Sequence, residues 1–174
     1  MSDELTPPVG PDDHAQGPAD APVTLVEYGD FQCPYCGAAY PVIHEVQRAM
    51  GRNLRFVFRP FPLKQIHPNA EHAAELAEAA ATKGKFWEMH ALLFENQRAL
   101  GDRHLLEYAE RAGLDTAWTA QVLEEGTFAR KVSQSFRSGV KSGVNGTPTF
   151  FINGARYDGP ADAEAMIEAL SLKP

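Results

Sequence analysis

The chain is poor in cysteine and has no run of positive charge. Its 174 residues include only two cysteines, Cys33 and Cys36, too few for the disulfide framework of a small secreted domain. A chain of this length also buries enough surface to fold without such staples. Its 16 lysines and arginines are outnumbered by 23 aspartates and glutamates, giving a formal net charge of −7. Because nucleic-acid binding depends on clustered positive charge, we do not expect a nucleic-acid partner.

Long apolar runs are missing as well. No stretch approaches the roughly 18 apolar residues that a membrane-spanning helix needs. The first 25 residues also lack the basic and apolar regions of an export signal. We therefore expect a monomer in the cytoplasm without a membrane partner, and an exported mature form is the alternative. A reducing compartment would keep a pair of neighbouring cysteines available as thiols.

The two cysteines stand two residues apart where an apolar run gives way to a helical pattern. Residues Val23 to Phe31 are rich in β-branched and aromatic side chains, which predicts a buried strand. The following helix is predicted to begin with Cys33 as its N-cap and Pro34 as its first residue, where the missing N–H of proline costs nothing. A Cys-x-x-Cys on such a strand-to-helix turn indicates a redox dithiol, ahead of a metal site or inert packing.

The order of the remaining elements predicts an α/β sheet interrupted by helices. Strand signals at Leu54–Arg59 and Thr149–Ile152 enclose a helical block from Asn69 to about Lys141, in which Asp102 and Asp115 are predicted N-caps. After the strand at Thr149–Ile152 we expect a turn at Asn153-Gly154, a partner strand over Ala155–Tyr157 and a final helix over about residues 161–172.

A helical block of this length between two strands of one sheet is better explained as an insertion than as a single crossover. The predicted organisation is a flexible tail over residues 1–12, a sheet domain over 13–62 and 142–174, and an all-helical insertion over 63–141. The tail is predicted from its proline, glycine and small polar residues, which bury little surface.

The dithiol needs a stabilised thiolate and a proton acceptor. At the N-cap, the Cys33 sulfur would face free backbone N–H groups and the positive end of the helix, which predicts a pKa between about 3.5 and 7 and makes Cys33 the attacking thiol. Cys36, one turn further, would face the protein body and resolve the mixed disulfide. Glu27 interrupts an apolar strand beneath the helix start, so a buried Glu27 carboxylate could accept the Cys36 proton. The alternative is a strand-edge glutamate in solvent.

A zinc site is the competing explanation for the cysteines. His67 and His72 form an H-x4-H that could complete a tetrahedral set, but 30 residues separate Cys36 from His67, against about 12 to 15 in finger-type sites. We therefore predict no bound metal. The other four histidines are predicted to lie on the surface or on helix faces: His14, His44, His90 and His104.

The segment Gly146-Thr147-Pro148-Thr149 opens the third predicted strand. A proline at this place beside a dithiol can adopt the cis peptide and turn the backbone groups of Thr147 outward, toward an extended peptide. An ordinary trans proline is the alternative. The first interpretation predicts a substrate-docking edge at Thr147 and Pro148.

These motifs together resemble the DsbA-like thiol-disulfide oxidoreductases of the thioredoxin superfamily, from about His14 to the last helix. The resemblance rests on Asp20–Thr24, Asp30–Cys36 with its Pro34-Tyr35 dipeptide, and Gly143–Gly154. It implies a thioredoxin fold with a helical insertion, Cys33 as nucleophile, Cys36 as resolving thiol and Pro148 as a cis-proline facing them. It also implies that Glu27 is a buried acid, with Arg59 as a weaker match to its basic partner.

The predicted function is therefore protein thiol-disulfide exchange, without a cofactor. Tyr35 and Thr147 are more similar to isomerase-related members and glutaredoxins than to strong oxidants, which leaves the direction of electron flow open. One alternative is a glutathione-linked reductase or transferase of the same superfamily, with a glutathione-sized pocket beside Tyr35 and Thr147. Another is a peptide-binding or chaperone-like module in which the dithiol is incidental.

Overall fold

A computed structural model describes residues 3–172 of the chain. Its strands are β1 (His14–Gln16), β2 (Val23–Gly29), β3 (Leu54–Pro60), β4 (Thr149–Ile152) and β5 (Ala155–Tyr157). Its α-helices are α1 (Pro34–Met50), α2 (Ala70–Ala81), α3 (Phe86–Glu95), α4 (Asp102–Arg111), α5 (Thr116–Glu125), α6 (Ala129–Lys141) and α7 (Ala163–Ser171), and a short 3-10 turn at Gly51–Asn53 follows α1.

The five strands form one sheet in the order β1-β3-β2-β4-β5. β2 pairs in parallel with β3, and the other neighbours are antiparallel. The central position of β2 explains its mostly apolar sequence, since a central strand with both faces covered has little polar surface. The edge strand β1 was not predicted, because three residues with a polar residue at each end carry no strand pattern.

Successive side chains of β2 point to opposite faces of the sheet. Leu25 and Glu27 therefore share one face, where Leu25 belongs to a core that also contains Ile43 of α1 and Met166 of α7. Val26 and Tyr28 lie on the other face, in a second, smaller core. This alternation places Glu27 on the α1 side of the sheet, below the start of that helix.

Helix α1 begins and ends as its sequence predicts. Cys33 is the N-cap in an extended conformation, and Pro34 is the first helical residue. The helix continues through Pro41 and stops at Gly51, whose φ of 54° lies in the left-handed region that glycine adopts without a steric penalty. The sulfur of Cys33 consequently lies beside the free N–H groups at the N-terminal end of this 17-residue helix.

Five helices, α2 to α6, separate β3 from β4. The last of them, α6, covers the second face of the sheet: its Phe136 ring stacks on Phe61 with centroids 4.2 Å apart, and Ser138 Oγ lies 2.8 Å from the Tyr28 hydroxyl. The sheet packing therefore uses a helix from within the predicted insertion. The N-cap prediction is right for Asp115, which accepts from Trp118 N, and wrong for Asp102, because Gly101 is the N-cap of α4.

The prediction of a flexible tail is wrong for residues 3–12, and Met1 and Ser2 lie outside the described residues. Leu5 is buried and donates its N–H to Gly154 O at 2.8 Å. The Arg59 guanidinium donates to the backbone oxygens of Pro7 and Pro8. Composition did not predict this docking because the partners of the segment lie about 50 to 150 positions away along the chain.

Candidate active site

The dithiol lies where the turn after β2 enters α1. Cys33 and Cys36 are free thiols, and both are buried. The Cys33 thiol donates to the backbone oxygen of Thr147 at 3.5 Å, and the backbone N–H of Asp30 donates to Cys36 Sγ at 3.4 Å. Each sulfur therefore has its own polar contact from a loop outside α1.

The two thiols differ in acidity. A hydrogen bond from the Cys36 thiol lowers the pKa of Cys33 to about 5. Burial opposes this, and the side chain of Thr147 and the backbone N–H groups of Cys36 and Tyr35 lower the pKa further. The pKa of Cys36 is raised, first by burial and then by its bond to Cys33 and the nearby charge of Glu27. Cys33 is therefore ionised at neutral pH and Cys36 is not. The sequence predicts this difference for an attacking and a resolving thiol.

Glu27 is buried on the α1 side of β2, with 3% of its surface exposed, so it is not a strand-edge residue in solvent. Burial raises its pKa to about 8, and the charge of Cys33 adds to the shift. A carboxyl group with a pKa near neutrality can both accept and release a proton under physiological conditions.

A small cavity of about 10 Å³ adjoins Glu27, with room for about one water molecule. Exposed His44 and half-buried Gln47 also line it. Its wall includes His90, which was predicted on the surface or a helix face but is buried among aromatic rings. Burial lowers the pKa of His90 to about 3, so this imidazole is neutral at neutral pH.

Thr147 and Pro148 face the dithiol from the loop before β4, and the peptide bond between them is cis. Beside them lies a cavity of about 470 Å³ whose wall includes Tyr35, Arg156 and Tyr157. Tyr35 is 76% exposed, so the second residue of the Pro34-Tyr35 dipeptide is open to a binding partner.

The structure does not bring Arg59 to Glu27. In the β2-β3 register Glu27 pairs with Phe58, whereas Arg59 pairs with Tyr28 and points to the second face of the sheet. There its guanidinium bonds the Tyr28 hydroxyl at 2.9 Å and makes a bidentate ion pair with Asp13 at 2.8 and 2.9 Å. The match of Arg59 to a basic partner of the acid is therefore wrong.

His67 and His72 do not share a site with the cysteines. His67 Nδ1 lies 2.8 Å from Asp30 Oδ2, and His72 Nδ1 lies 2.8 Å from Asp102 Oδ1. Within residues 3–172, no three His, Cys, Asp or Glu side chains converge as a metal site would require.

Sequence reasoning missed two residues that hold the active-site turn. Gln97, after α3, donates from Nε2 to the backbone oxygens of Phe31 and Cys33 at 2.9 and 2.8 Å. The carboxylate of Asp30 is buried and accepts three hydrogen bonds. A polar residue directly after the predicted strand was a usable signal for Asp30, whereas no local pattern indicates Gln97.

Comparison with known proteins gives the family. A family model described as thioredoxin matches residues 10–171. Among solved structures, a thioredoxin-like oxidoreductase from Silicibacter pomeroyi is 28% identical, with a TM-score of 0.82 over 94% of this chain and 92% of that one.

Two further structures share the fold. BdbD from Bacillus subtilis is 23% identical, with a TM-score of 0.88 over 99% of this chain and 97% of that chain. The α-DsbA1 protein from Wolbachia pipientis is 20% identical, with a TM-score of 0.82 over 99% of this chain and 96% of that chain. These likenesses confirm the predicted α/β thioredoxin fold with a helical insertion.

Curated relatives at higher identity are much longer. The Na(+)/H(+) antiporter NhaA 3 of Salinispora tropica is 47% identical over 168 residues, which are 96% of this chain and 26% of that protein. The antiporter NhaA 1 of Salinispora arenicola is 46% identical over 97% of this chain and 26% of that protein. The chain thus spans about a quarter of these relatives. No helix in residues 3–172 is long and apolar enough to cross a membrane. From the family model the chain belongs to the thioredoxin family, and it shares the fold of the BdbD and α-DsbA1 structures.

Proposed function

We propose that this protein exchanges disulfides with the thiols of polypeptide substrates through a mixed disulfide at Cys33 that Cys36 resolves. The observation that carries the proposal is the pair of unequal thiols at the start of α1, with the pKa of Cys33 lowered to about 5 and that of Cys36 raised. Such a pair supplies one ready nucleophile and one that ionises only when a base takes its proton.

In the reducing direction, the Cys33 thiolate attacks a substrate disulfide, forms a new S–S bond and releases one substrate thiolate. Cys36 then gives its proton to the Glu27 carboxylate, and its thiolate attacks the Cys33 sulfur. That step forms the Cys33–Cys36 disulfide and releases the second substrate thiolate. In the oxidising direction the same steps run backwards, and protonated Glu27 returns a proton to the Cys36 thiolate.

The docking edge favours an extended polypeptide. Thr147 presents its backbone beside the cis-proline, and the exposed ring of Tyr35 borders the same cavity. Main-chain pairing at such an edge binds peptides without demanding one sequence. A cytoplasmic location is part of this proposal, since a reducing compartment would return the dithiol to its thiol form.

A second candidate is exchange with glutathione, and one observation favours it. The cavity of about 470 Å³ between Tyr35, Pro148 and Tyr157 is in the size range of small-molecule sites. Glutathione would place its sulfur toward Cys33 and its peptide backbone along Thr147. A saturable dependence of the turnover rate on glutathione concentration would support this candidate, and a linear dependence would count against it.

The test compares wild type with Cys33→Ser in insulin reduction and in rescue of a scrambled disulfide protein. Wild type should be active in at least one assay, and Cys33→Ser should be inactive in both. Wild-type protein that is inactive in both assays but suppresses the aggregation of an unfolded protein as well as Cys33→Ser does would overturn the proposal in favour of a chaperone-like module. The reduction potential gives the direction: we expect a value between about −270 and −120 mV, and one below about −270 mV would mark a reductase.

A further inference from the structure

The carboxylate of Asp30 joins the active-site turn to the loop before α2. Its side chain is fully buried. Oδ1 accepts from the backbone N–H of Gln32 at 2.7 Å, while Oδ2 accepts from Leu63 N–H and from His67 Nδ1, each at 2.8 Å. A buried carboxylate with three donors is held in one orientation, because losing any donor would leave part of its charge unsatisfied.

The backbone of the same residue touches a reacting atom. The N–H of Asp30 donates to Cys36 Sγ at 3.4 Å, and this N–H helps to lower the pKa of Cys36 against the larger effect of burial. The orientation of the Asp30 peptide is therefore coupled to the sulfur that must become a thiolate. Because the side chain and the N–H belong to one residue, bonds that hold the Asp30 side chain also restrict the position of its N–H.

A short loop between Leu63 and His67, held by its own hydrogen bonds, places the His67 ring beside Asp30. The N–H groups of Ile66 and His67 both donate to Leu63 O, at 3.0 and 2.8 Å. A second tie joins the same two segments, since Asn69 N–H donates to Gln32 Oε1 at 2.8 Å. With 16% of its side chain exposed, His67 is largely shielded from solvent, so its bond to Asp30 does not compete freely with water.

We propose that His67 and Asp30 act as a positioning pair that holds the Asp30 N–H on the Cys36 sulfur and so accelerates the resolving step. The proposal rests on the function proposed above. In that step Cys36 loses its proton to Glu27, the Cys36 thiolate forms a bond to the Cys33 sulfur, and the substrate thiolate leaves. The Asp30 N–H stabilises the developing thiolate and directs it toward Cys33.

The chain contains a matched control for this pair. His72 Nδ1 and Asp102 Oδ1 are also 2.8 Å apart, but their side chains are 45% and 72% exposed. The His72 pair lies in the helical insertion, where its bond joins α2 to the first residue of α4. Substitution of His72 removes the same kind of hydrogen bond without touching Asp30.

Reaction of the reduced protein with the aromatic disulfide DTNB separates the two chemical steps in one stopped-flow trace. The first thionitrobenzoate is released when Cys33 attacks, at a rate that depends on reagent concentration. The second is released when Cys36 resolves the mixed disulfide, at a rate that does not. His67→Phe fills the ring volume without a donor; its first phase should stay within about twofold of wild type and its second should slow about tenfold.

Two further variants decide whether the hydrogen bond is responsible. His67→Asn carries an amide nitrogen near the place of Nδ1 and should recover most of the second-phase rate, and His72→Phe should match wild type in both phases. A wild-type second phase in folded His67→Phe would overturn the proposal. If that variant does not fold, His67→Asn and His67→Ala make the same comparison. A wild-type protein without a second phase would instead contradict the proposed function.

Discussion

At the scale of single residues, the site depends on two buried carboxylates with different surroundings. Asp30 is held by three hydrogen-bond donors, two of them from the loop before α2. Glu27 lies on the α1 side of β2, where burial raises its pKa to about 8. The first is suited to fixing geometry, and the second to exchanging a proton with Cys36.

Replacement of Glu27 by glutamine should slow the resolving step. Glutamine keeps the shape of the side chain but cannot accept the Cys36 proton, so we expect the second DTNB phase at pH 7 to fall about 100-fold. Glu45→Gln, an exposed change on α1, is the control and should leave both phases unchanged. Equal rates in Glu27→Gln and wild type would show that another group takes the proton.

The same residue predicts how stability depends on pH. The pKa of Glu27 is raised from 4.5 to about 8 by folding, so the native state holds a proton that the unfolded chain has lost across this window. The contribution of Glu27 to stability should therefore fall as pH rises from about 4.5 to 8. At pH 9 the reduced Glu27→Gln protein should be more stable than wild type by roughly 2–4 kcal/mol in urea unfolding. A less stable variant at pH 9 would contradict the shift.

The low pKa of Cys33 should depend on the hydrogen bond from Cys36, its largest cause. Cys36→Ala removes the donor and should raise the pKa of Cys33 by about 1 to 2 units, whereas Cys36→Ser keeps a donor and should raise it less. The pH dependence of the iodoacetamide reaction rate measures both. A midpoint above 8 in wild type would contradict the assignment of Cys33 as the ionised thiol.

At the scale of elements, α6 fits the sheet because it lacks a side chain at one position. A Cβ on Gly139 would lie 2.5 Å from the ring of Phe61 and 3.1 Å from that of Tyr28. Glycine lowers helix propensity, so its presence here reflects close packing on the sheet. In α1, on the other face of the sheet, the missing side chain of Gly37 leaves room for the side chain of Gln97. Gln97 Nε2 donates to the backbone oxygen of Cys33.

Gly139→Ala should therefore destabilise the protein, although alanine normally stabilises a helix. Because two buried rings must move, we expect the free energy of unfolding to fall by about 1 to 3 kcal/mol. The neighbouring Val140 is 55% exposed, and Val140→Ala is expected to change stability by less than about 0.5 kcal/mol. Chemical denaturation of both variants makes the comparison. A neutral or stabilising Gly139→Ala would mean that α6 packs less closely on the sheet.

At the scale of the whole molecule, Arg59 ties the N-terminal segment to the second face of the sheet. Its guanidinium donates to Asp13, to the Tyr28 hydroxyl and to the backbone of Pro7 and Pro8. Burial would raise the pKa of Asp13 and is the largest single effect, but the hydrogen bonds from Arg59 and the Gly10 N–H together with the charges of Arg59 and His14 outweigh it and hold the pKa below 3.8. The contribution of Asp13 to stability is therefore present above pH 3.8 and is lost as pH falls through its lower native pKa.

Arg59→Leu should release this segment. The change leaves the largely buried Asp13 without its charge partner, so the free energy of unfolding at pH 7 should fall by about 3 kcal/mol. Limited proteolysis should then cut within residues 3–13 before the rest of the chain. Arg48→Leu on the exposed surface of α1 is the control and should keep the wild-type pattern. An unchanged cleavage pattern in Arg59→Leu would show that other contacts hold the segment.

The sequence by itself determined the features that depend on neighbouring residues. The Cys-x-x-Cys at a helix start, the strands on either side of the helical block and the Asn153-Gly154 turn all follow from local patterns. Glu27 was also accessible, because one charged residue in an apolar strand is a local contrast. Their physical cause is short-range: capping, alternation and backbone preference.

Only the tertiary structure decided which distant groups meet. Arg59 was matched to Glu27, but the two side chains lie on opposite faces of the sheet. A one-residue step along β3 moves a side chain to the other face, and no sequence pattern showed on which face Arg59 lies relative to Glu27. The same holds for the packing of residues 3–12 and for the burial of His90. It also holds for the hydrogen bonds from Gln97 and His67 to the active-site turn, which join segments tens of residues apart. Such contacts depend on how elements pack, and packing depends on the whole chain.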